Sequence, residues 1–160
     1  MTLYRIAKCN YVNDLTGTGA RLYGGRWNSE GKSMVYLASS RALAALEVLV
    51  HMPPLLLPNN FCIAEIEVPD KNILTLDEST LPDNWQDVSY PAELKQIGNT
   101  FIREAAYLML KVPSAVVPQE YNYLLNPWHP DIKKVSILKT LPFSFDERLK
   151  PTFPEKKASK

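Results

Sequence analysis

Cysteine and histidine are scarce in this chain, with two of each among 160 residues, and the scarcity removes several chemistries at once. Cys9 and Cys62 fall in different segments, so no disulfide scaffold is expected, and Cys62 reads as a small core residue of a strand. The Cys/His spacing of a zinc site is missing, and no metal ligand set is expected. Neither sign of charge dominates. Eighteen Lys and Arg against seventeen Asp and Glu leave a formal net charge of +1, which does not steer the chain toward nucleic acid or a membrane surface. No segment approaches the roughly 20 consecutive apolar residues that span a bilayer. Arg5 and Lys8 interrupt the N-terminal segment where a signal peptide would carry its apolar stretch, so the cytoplasm is the expected location. Lys150, Lys156, Lys157 and Lys160 read as a solvated tail rather than a binding patch.

What is present is enough apolar material, 46% of residues, for the core of one domain. Repeats and low-complexity linkers are absent. Thr2–Ala7 reads as a short strand, and a Gly-rich polar stretch runs from Gly17 to Gly31. Met34–Ala38 reads as a buried strand. Ser39 and Ser40 are N-cap candidates for a helix over Arg41–His51, stopped by Pro53 and Pro54. In Phe61–Val68, Cys62, Ala64, Ile66 and Val68 share one face and Glu65 and Glu67 the other, as in a half-exposed strand. Ile73–Leu76 reads as a strand, and Pro91–Leu110 as a helix with a break at Gly98. Ala115–Val117 reads as a buried strand between Pro113 and Pro118. Val135–Thr140 and Phe143–Phe145 carry the last strand signals. Many short strands and few helices predict an α+β domain with a mixed or antiparallel sheet. The domain is expected to span residues 1–148, with 149–160 a disordered or loosely packed tail.

Three polar clusters interrupt this pattern. Glu47 is the one non-apolar residue between Ala42 and Val50. A carboxylate in that setting is costly unless paired or hydrogen-bonded. Either it faces a polar cavity, it pairs with a buried cation, or it is a lone solvent-facing group. His51 can share its face, or can serve as a helix C-terminal histidine. Second, five of the six glycines (Gly17, Gly19, Gly24, Gly25 and Gly31) surround Arg21, Arg26, Trp27 and Asn28. An arginine among glycines and open amides suits phosphate recognition through its forked donors, although a plain surface turn fits the same residues. Trp27 either covers an aromatic ring or fills the core. The segment is neither a Walker A loop nor a Rossmann fingerprint. Third, Pro113-Ser114-Ala115-Val116-Val117-Pro118 leads into Glu120, Asn122, Asn126 and His129. Ser114 lacks a nucleophile elbow, which argues against a serine hydrolase. The asparagines read as turn-closing residues.

In this order the clusters resemble the RES domain family, named for its Arg, Glu and Ser. The matching pieces are Tyr4-Arg5, Gly17-x-Gly19-Ala20-Arg21, Gly24-Gly25-Arg26-Trp27-Asn28, Val35-Tyr36-Leu37-Ala38 and Ala45-Leu46-Glu47-Val48-Leu49-Val50-His51. Val112-Pro113-Ser114 to Pro118 and Asn122-Tyr123-Leu124-Leu125-Asn126-Pro127-x-His129-Pro130 complete them. The resemblance reaches to about Phe145. It is loose from about Leu74 to Lys95, and the tail after Arg148 has no counterpart in it.

The resemblance implies an ADP-ribosyltransferase-like fold with a split, mixed β-core around an NAD⁺ cleft. It implies a toxin that cleaves the nicotinamide–ribose bond of NAD⁺ by hydrolysis or phosphorolysis, with inorganic phosphate as co-substrate in the second case. NAD⁺ is then a substrate, and no other cofactor is expected. It also implies an Xre-type antitoxin that blocks the cleft; DNA contact belongs to that partner, and no membrane partner is expected. Carried over, the family's catalytic residues fall on Arg26, Glu47 and Ser114, and its site tyrosine on Tyr36. Arg26 is expected at the pyrophosphate or a nearby phosphate, Tyr36 stacked on or bordering the nicotinamide, and Glu47 on the nicotinamide ribose. Ser114 is expected to orient Glu47 or bond the nicotinamide amide. Arg5, Asn28, His51 and Asn122 are expected to line or brace the cleft. One alternative is a mono-ADP-ribosyltransferase that modifies a protein. Another is a non-catalytic module that binds a nucleotide or peptide, against which the joint presence of Arg26, Glu47 and Ser114 argues. Met52–Pro58, with its Pro-Pro-Leu-Leu-Leu-Pro run, is a candidate exposed apolar segment or a buried loop.

Overall fold

The structure is a computed structural model that describes residues 1–52 and 59–149. The two prolines expected to stop a helix, most of the Met52–Pro58 apolar segment and nearly all of the expected tail lie outside the described residues. Seven strands form one sheet: β1 (Thr2–Lys8), β2 (Val35–Ala38), β3 (Phe61–Glu67), β4 (Ile73–Thr75), β5 (Met109–Pro113), β6 (Tyr121–Leu125) and β7 (Ser136–Phe143). Their order is β4-β5-β6-β2-β1-β3-β7. Only β4 and β5 run parallel; the other pairs are antiparallel. Among the described residues three α-helices accompany the sheet, α1 (Thr18–Tyr23), α2 (Arg41–Leu49) and α3 (Ala92–Glu104). This is the α+β architecture with a mixed sheet that the strand pattern predicts.

The sheet is one piece, but its seam is thin. β1 and β3 pair over seven positions, from Thr2↔Glu67 to Lys8↔Phe61. β1 and β2 share only Tyr4↔Ala38. One half, β4-β5-β6-β2, therefore meets the other, β1-β3-β7, at a single residue pair, which is the form the expected split takes.

Both faces are covered. On one, Leu3, Val35, Leu37, Ala64, Ile66 and Leu125 pack with Val12 and Leu108. On the other, α2 buries Leu43 and Ala44 against Ile6, Ala38, Phe61 and Ile63, and α3 buries Leu94, Phe101 and Ile102 against Leu110, Val112 and Leu124. Tyr36 packs with the α3 cluster and Ala38, two residues on, with the α2 cluster. Since alternate strand residues share a face, α2 and α3 lie on the same side of the sheet. Phe61 and Ile63 are buried under α2, so β3 is covered on both faces over most of its length rather than half exposed.

Several expectations give way here. Cys9 and Cys62 form a disulfide with Cα atoms 4.8 Å apart. Antiparallel pairing of Ala7 with Cys62, and a bond from the Cys9 N–H to the Asn60 carbonyl at 2.9 Å, bring the two segments side by side. Membership in different elements does not separate residues that a strand ladder joins. Within the Gly-rich stretch the chain forms α1, a helix that the glycines and polar residues concealed. Ala115–Val117 is not a strand: the prolines bound a turn, and the strands are β5 before it and β6 after it. The residues of β6, taken as turn positions, pair with β2 and β5 on both sides. β7 extends the first of the last two expected segments to Phe143, and residues 144–145 of the second lie beyond the strand.

The helix expected over Pro91–Leu110 ends at Glu104, where Ala105 adopts a left-handed φ of 49° and closes it. It does not break at Gly98. Gly98 is instead where α3 touches the Gly-rich segment, since a Cβ there would sit 1.8 Å from the Trp27 carbonyl oxygen. Gly98→Ala is therefore expected to destabilise the protein by about 1–3 kcal/mol through overpacking, despite alanine's higher helix propensity. Denaturant unfolding checks this; an unchanged or raised midpoint would contradict the contact.

Candidate active site

A cleft of about 550 Å³ opens where the two halves of the sheet part, a size that accepts a nucleotide-sized ligand. β1 contributes Tyr4–Ala7 to its lining and β2 contributes Tyr36–Ala38. Past the Tyr4↔Ala38 pair the strands have no register partners in each other, and this divergence makes room.

Glu47 comes into the cleft from α2. The helix starts at Ser40, whose side chain accepts the Leu43 N–H at 3.1 Å, the N-cap expected from the sequence. Glu47 follows Leu43 and Ala44 by four and three residues, so it shares their sheet-facing side. The helix is less buried than its composition suggests, since Leu46 and Val50 are 39% and 54% exposed. Glu47 nonetheless points inward, and its partners explain why. Its Oε1 accepts the Ser114 hydroxyl at 2.8 Å and the Asn122 amide at 2.5 Å. Among the described residues Oε2 has no hydrogen-bond partner. Of the readings open for Glu47, the polar cavity holds.

The Ser114 hydroxyl is fixed in turn. Its oxygen accepts the N–H groups of Val116 at 3.1 Å and Val117 at 3.0 Å, so its own proton is left to point at Glu47. Ser114 follows β5, is 1% exposed and does not line the cleft. It acts on Glu47 from behind. Asn122 does line the cleft, from β6, where it pairs with Ala38 on one side and Val112 on the other. Three elements thus meet at one carboxylate oxygen.

The Gly-rich segment forms the facing wall. The Gly25 N–H donates to the Asn28 carbonyl at 2.9 Å, closing a tight turn with Arg26 and Trp27 at its tip. The Tyr36 hydroxyl donates to Asn28 Oδ1 at 2.7 Å and accepts the Trp27 N–H at 3.1 Å. Burial raises the Tyr36 pKa well above its ordinary value, so the phenol stays neutral. A Cβ on Gly25 would lie 2.6 Å from the Tyr36 oxygen, which is why glycine stands there. Asn28 is fully buried and its amide donates to the carbonyls of Ala20, Ser29 and Lys32. It braces the wall and does not line the cleft. Trp27 is 3% exposed, packs in the α3 cluster and also contributes to the cleft lining.

Arg26 lines the cleft, but its terminal nitrogens donate to the carbonyls of Trp85 and Asp87. Its guanidinium carbon lies 4.4 Å from the centre of the Tyr90 ring. Burial lowers its pKa, with Tyr90, Glu47, Tyr36 and Asp87 opposing; the group stays charged. Arg5 also lines the cleft, with its guanidinium tied to the carbonyls of Val12 and Asp14. Burial lowers the Arg5 pKa and the Asp14 charge opposes it. His51 is exposed at the rim, just past α2. The structure therefore brings Arg5, Arg26, Tyr36, Glu47, His51 and Asn122 around one cleft, and sets Ser114 and Asn28 behind its walls. Sequence reasoning missed Tyr90 and Lys95, which line it too. They lie in or at the edge of the stretch where the resemblance is loose, and no local pattern marks them. Among the described residues no cluster of three or more His, Cys, Asp or Glu side chains is placed to hold a metal ion, and no helix is long and apolar enough to cross a membrane.

The RES domain model matches residues 2–146. The chain is 43% identical over 152 residues to "Toxin Res" of Yersinia enterocolitica, covering 94% of this chain and all of that protein. It is 39% identical over 146 residues to "Prs ADP-ribosylating toxin" of a Sphingobium species, covering 89% and 91%. In fold it is similar to a chain of the M. tuberculosis MbcT–MbcA toxin–antitoxin complex, with a TM-score of 0.73 at 18% identity over 89% of this chain and 84% of that one. The chain belongs to the RES domain family.

Because Ser114 and Asn122 bond the same oxygen, their removal is expected to be non-additive. Unfolding free energies of Ser114→Ala, Asn122→Ala and the double variant should show a coupling of about 0.5–3 kcal/mol. Simple additivity would show that the two bonds do not meet at Glu47.

Proposed function

We propose that this chain is a toxin that breaks the nicotinamide–ribose bond of NAD⁺. The observation that carries the reading is the Glu47 carboxylate, held through Oε1 by Ser114 and Asn122 while Oε2 has no protein partner among the described residues, in a nucleotide-sized cleft. In this reading Oε2 accepts a hydroxyl of the nicotinamide ribose. The C1′–N1 bond breaks, its electron pair goes to the pyridinium nitrogen, and neutral nicotinamide leaves without a proton. Positive charge develops on the ribose C1′ and O4′, and the fixed carboxylate stabilises it without reorganising. Water then adds at C1′ and loses a proton to solvent, giving ADP-ribose; phosphate in its place gives the 1-phosphate. Tyr36, in the wall beside Arg26, borders the nicotinamide. Ser114 acts as a positioning residue for Glu47.

A second outcome of the same bond cleavage is transfer of ADP-ribose to a protein, which the name of the Sphingobium relative favours. The structural neighbour belongs to a toxin–antitoxin complex, which supports an antitoxin as the partner here, and we propose that it is of Xre type and closes this cleft. The proposed location is the cytoplasm, the compartment in which such a toxin would meet the NAD⁺ pool. There the Cys9–Cys62 pair would meet reducing conditions.

Glu47→Gln is expected to lower the rate of nicotinamide release by about 100-fold or more while leaving NAD⁺ binding measurable by calorimetry. Chromatography of the products against labelled protein separates ADP-ribose, its 1-phosphate and modified protein. A variant that consumed NAD⁺ at the parental rate would overturn the role given to Glu47.

A further inference from the structure

The chain is nearly neutral, yet the cleft is not. Among its described lining residues, Arg5, Arg26 and Lys95 are cations, and Glu47 is the one carboxylate. Two of the three cations are already engaged. Arg5 donates to two carbonyls of the segment after β1. Arg26 donates from both terminal nitrogens to carbonyls of the 85–87 segment and lies on the face of Tyr90. Lys95 differs from both. It stands in the second turn of α3, half-buried, with its Nζ 5.9 Å from the centre of the same Tyr90 ring. Among the described residues it has no ion pair and no hydrogen-bond acceptor. Two cations thus converge on one tyrosine, and the engaged one fixes the backbone that carries it.

We propose that Lys95 is the pyrophosphate-binding cation of the cleft, and that Arg26 serves chiefly to hold residues 85–90 so that Tyr90 forms the wall beside it. The assignment rests on the NAD⁺ reading above and moves the main phosphate contact from Arg26 to a residue outside the motifs. The physical ground is the ammonium's free valence. Its three donors meet no protein acceptor among the described residues and are open to an anion. Arg26 has spent one N–H of each terminal nitrogen on a carbonyl, which ties its fork to residues 85–87 and limits how it can turn toward a phosphate. A dinucleotide whose ribose lies at Glu47 then extends its phosphates toward Tyr90 and Lys95, so the cleft is acidic at the scissile bond and basic beyond it.

Steady-state kinetics of the full chain, Lys95→Gln and Lys95→Arg on NAD⁺, nicotinamide mononucleotide and nicotinamide riboside test this. Lys95→Gln is expected to raise KM for NAD⁺ by roughly 10- to 100-fold, with the loss carried by KM rather than kcat. Lys95→Arg should recover most of it. With the riboside, which has no phosphate, the loss should shrink to under about threefold. An unchanged KM for NAD⁺, or an equal loss on the riboside, would overturn the assignment. Calorimetry with inorganic pyrophosphate reads the subsite without turnover. If the parental chain leaves NAD⁺ untouched, the functional reading fails by itself. Pyrophosphate binding that Lys95→Gln abolishes still supports Lys95, and binding that it leaves intact, or no binding to the parental chain, overturns it.

Discussion

One carboxylate oxygen organises this site. Glu47 Oε1 receives the Ser114 hydroxyl and the Asn122 amide, and these come from the turn after β5 and from β6, while Glu47 comes from α2. A half-buried carboxylate is tolerated when charge-assisted hydrogen bonds replace its water. The same bonds settle its direction. The two valine N–H groups that fill the Ser114 oxygen leave its proton one direction to take. The carboxylate is thereby oriented before any ligand arrives, which is the condition for electrostatic stabilisation of a developing positive charge.

The sheet supplies the space. A fully paired β1–β2 ladder would close the region in front of Glu47. The strands meet only at Tyr4↔Ala38, and the cleft occupies the divergence. The Gly-rich segment forms one wall because Gly25 permits the Tyr36 hydroxyl to approach the turn and Gly98 permits α3 to touch Trp27. Around this space the charge is unequal, with one carboxylate at one place and cations around Tyr90. Such a gradient matches a ligand whose reacting carbon becomes positive and whose tail carries phosphates.

Three residues around the cleft stood out locally in the sequence, while Tyr36, Arg5 and Asn122, and the roles of all of them, entered only through the resemblance to the RES family. Glu47 stood alone in an apolar run, Arg26 lay among glycines, and Ser114 sat between prolines. The strand–helix alternation from Val35 to Glu67 followed from periodicity and from the Ser40 cap. What escaped depends on pairing at a distance. β6 looked like turns because Asn122 and Asn126 are turn-prone, yet pairing on both sides makes 121–125 a strand, and only Asn126 closes a turn, accepting the Trp128 N–H. The disulfide is a consequence of the β1–β3 ladder and has no local signature. Tyr90 and Lys95 line the cleft next to a segment whose carbonyls Arg26 bonds, a contact across some sixty residues that no spacing rule encodes. Conversely, the helix that carries Glu47 exposes Leu46 and Val50, so an apolar run by itself does not report burial.

The central claim is that the carboxylate fixed by Ser114 and Asn122 faces the nicotinamide ribose of NAD⁺. The most direct measurement is a crystal structure of the Glu47→Gln chain with NAD⁺ bound. The account predicts a ribose hydroxyl about 3 Å from the residue 47 side chain, with the nicotinamide in the divergence between β1 and β2. NAD⁺ bound elsewhere, or in the cleft with its nicotinamide ribose out of reach of residue 47, would contradict it.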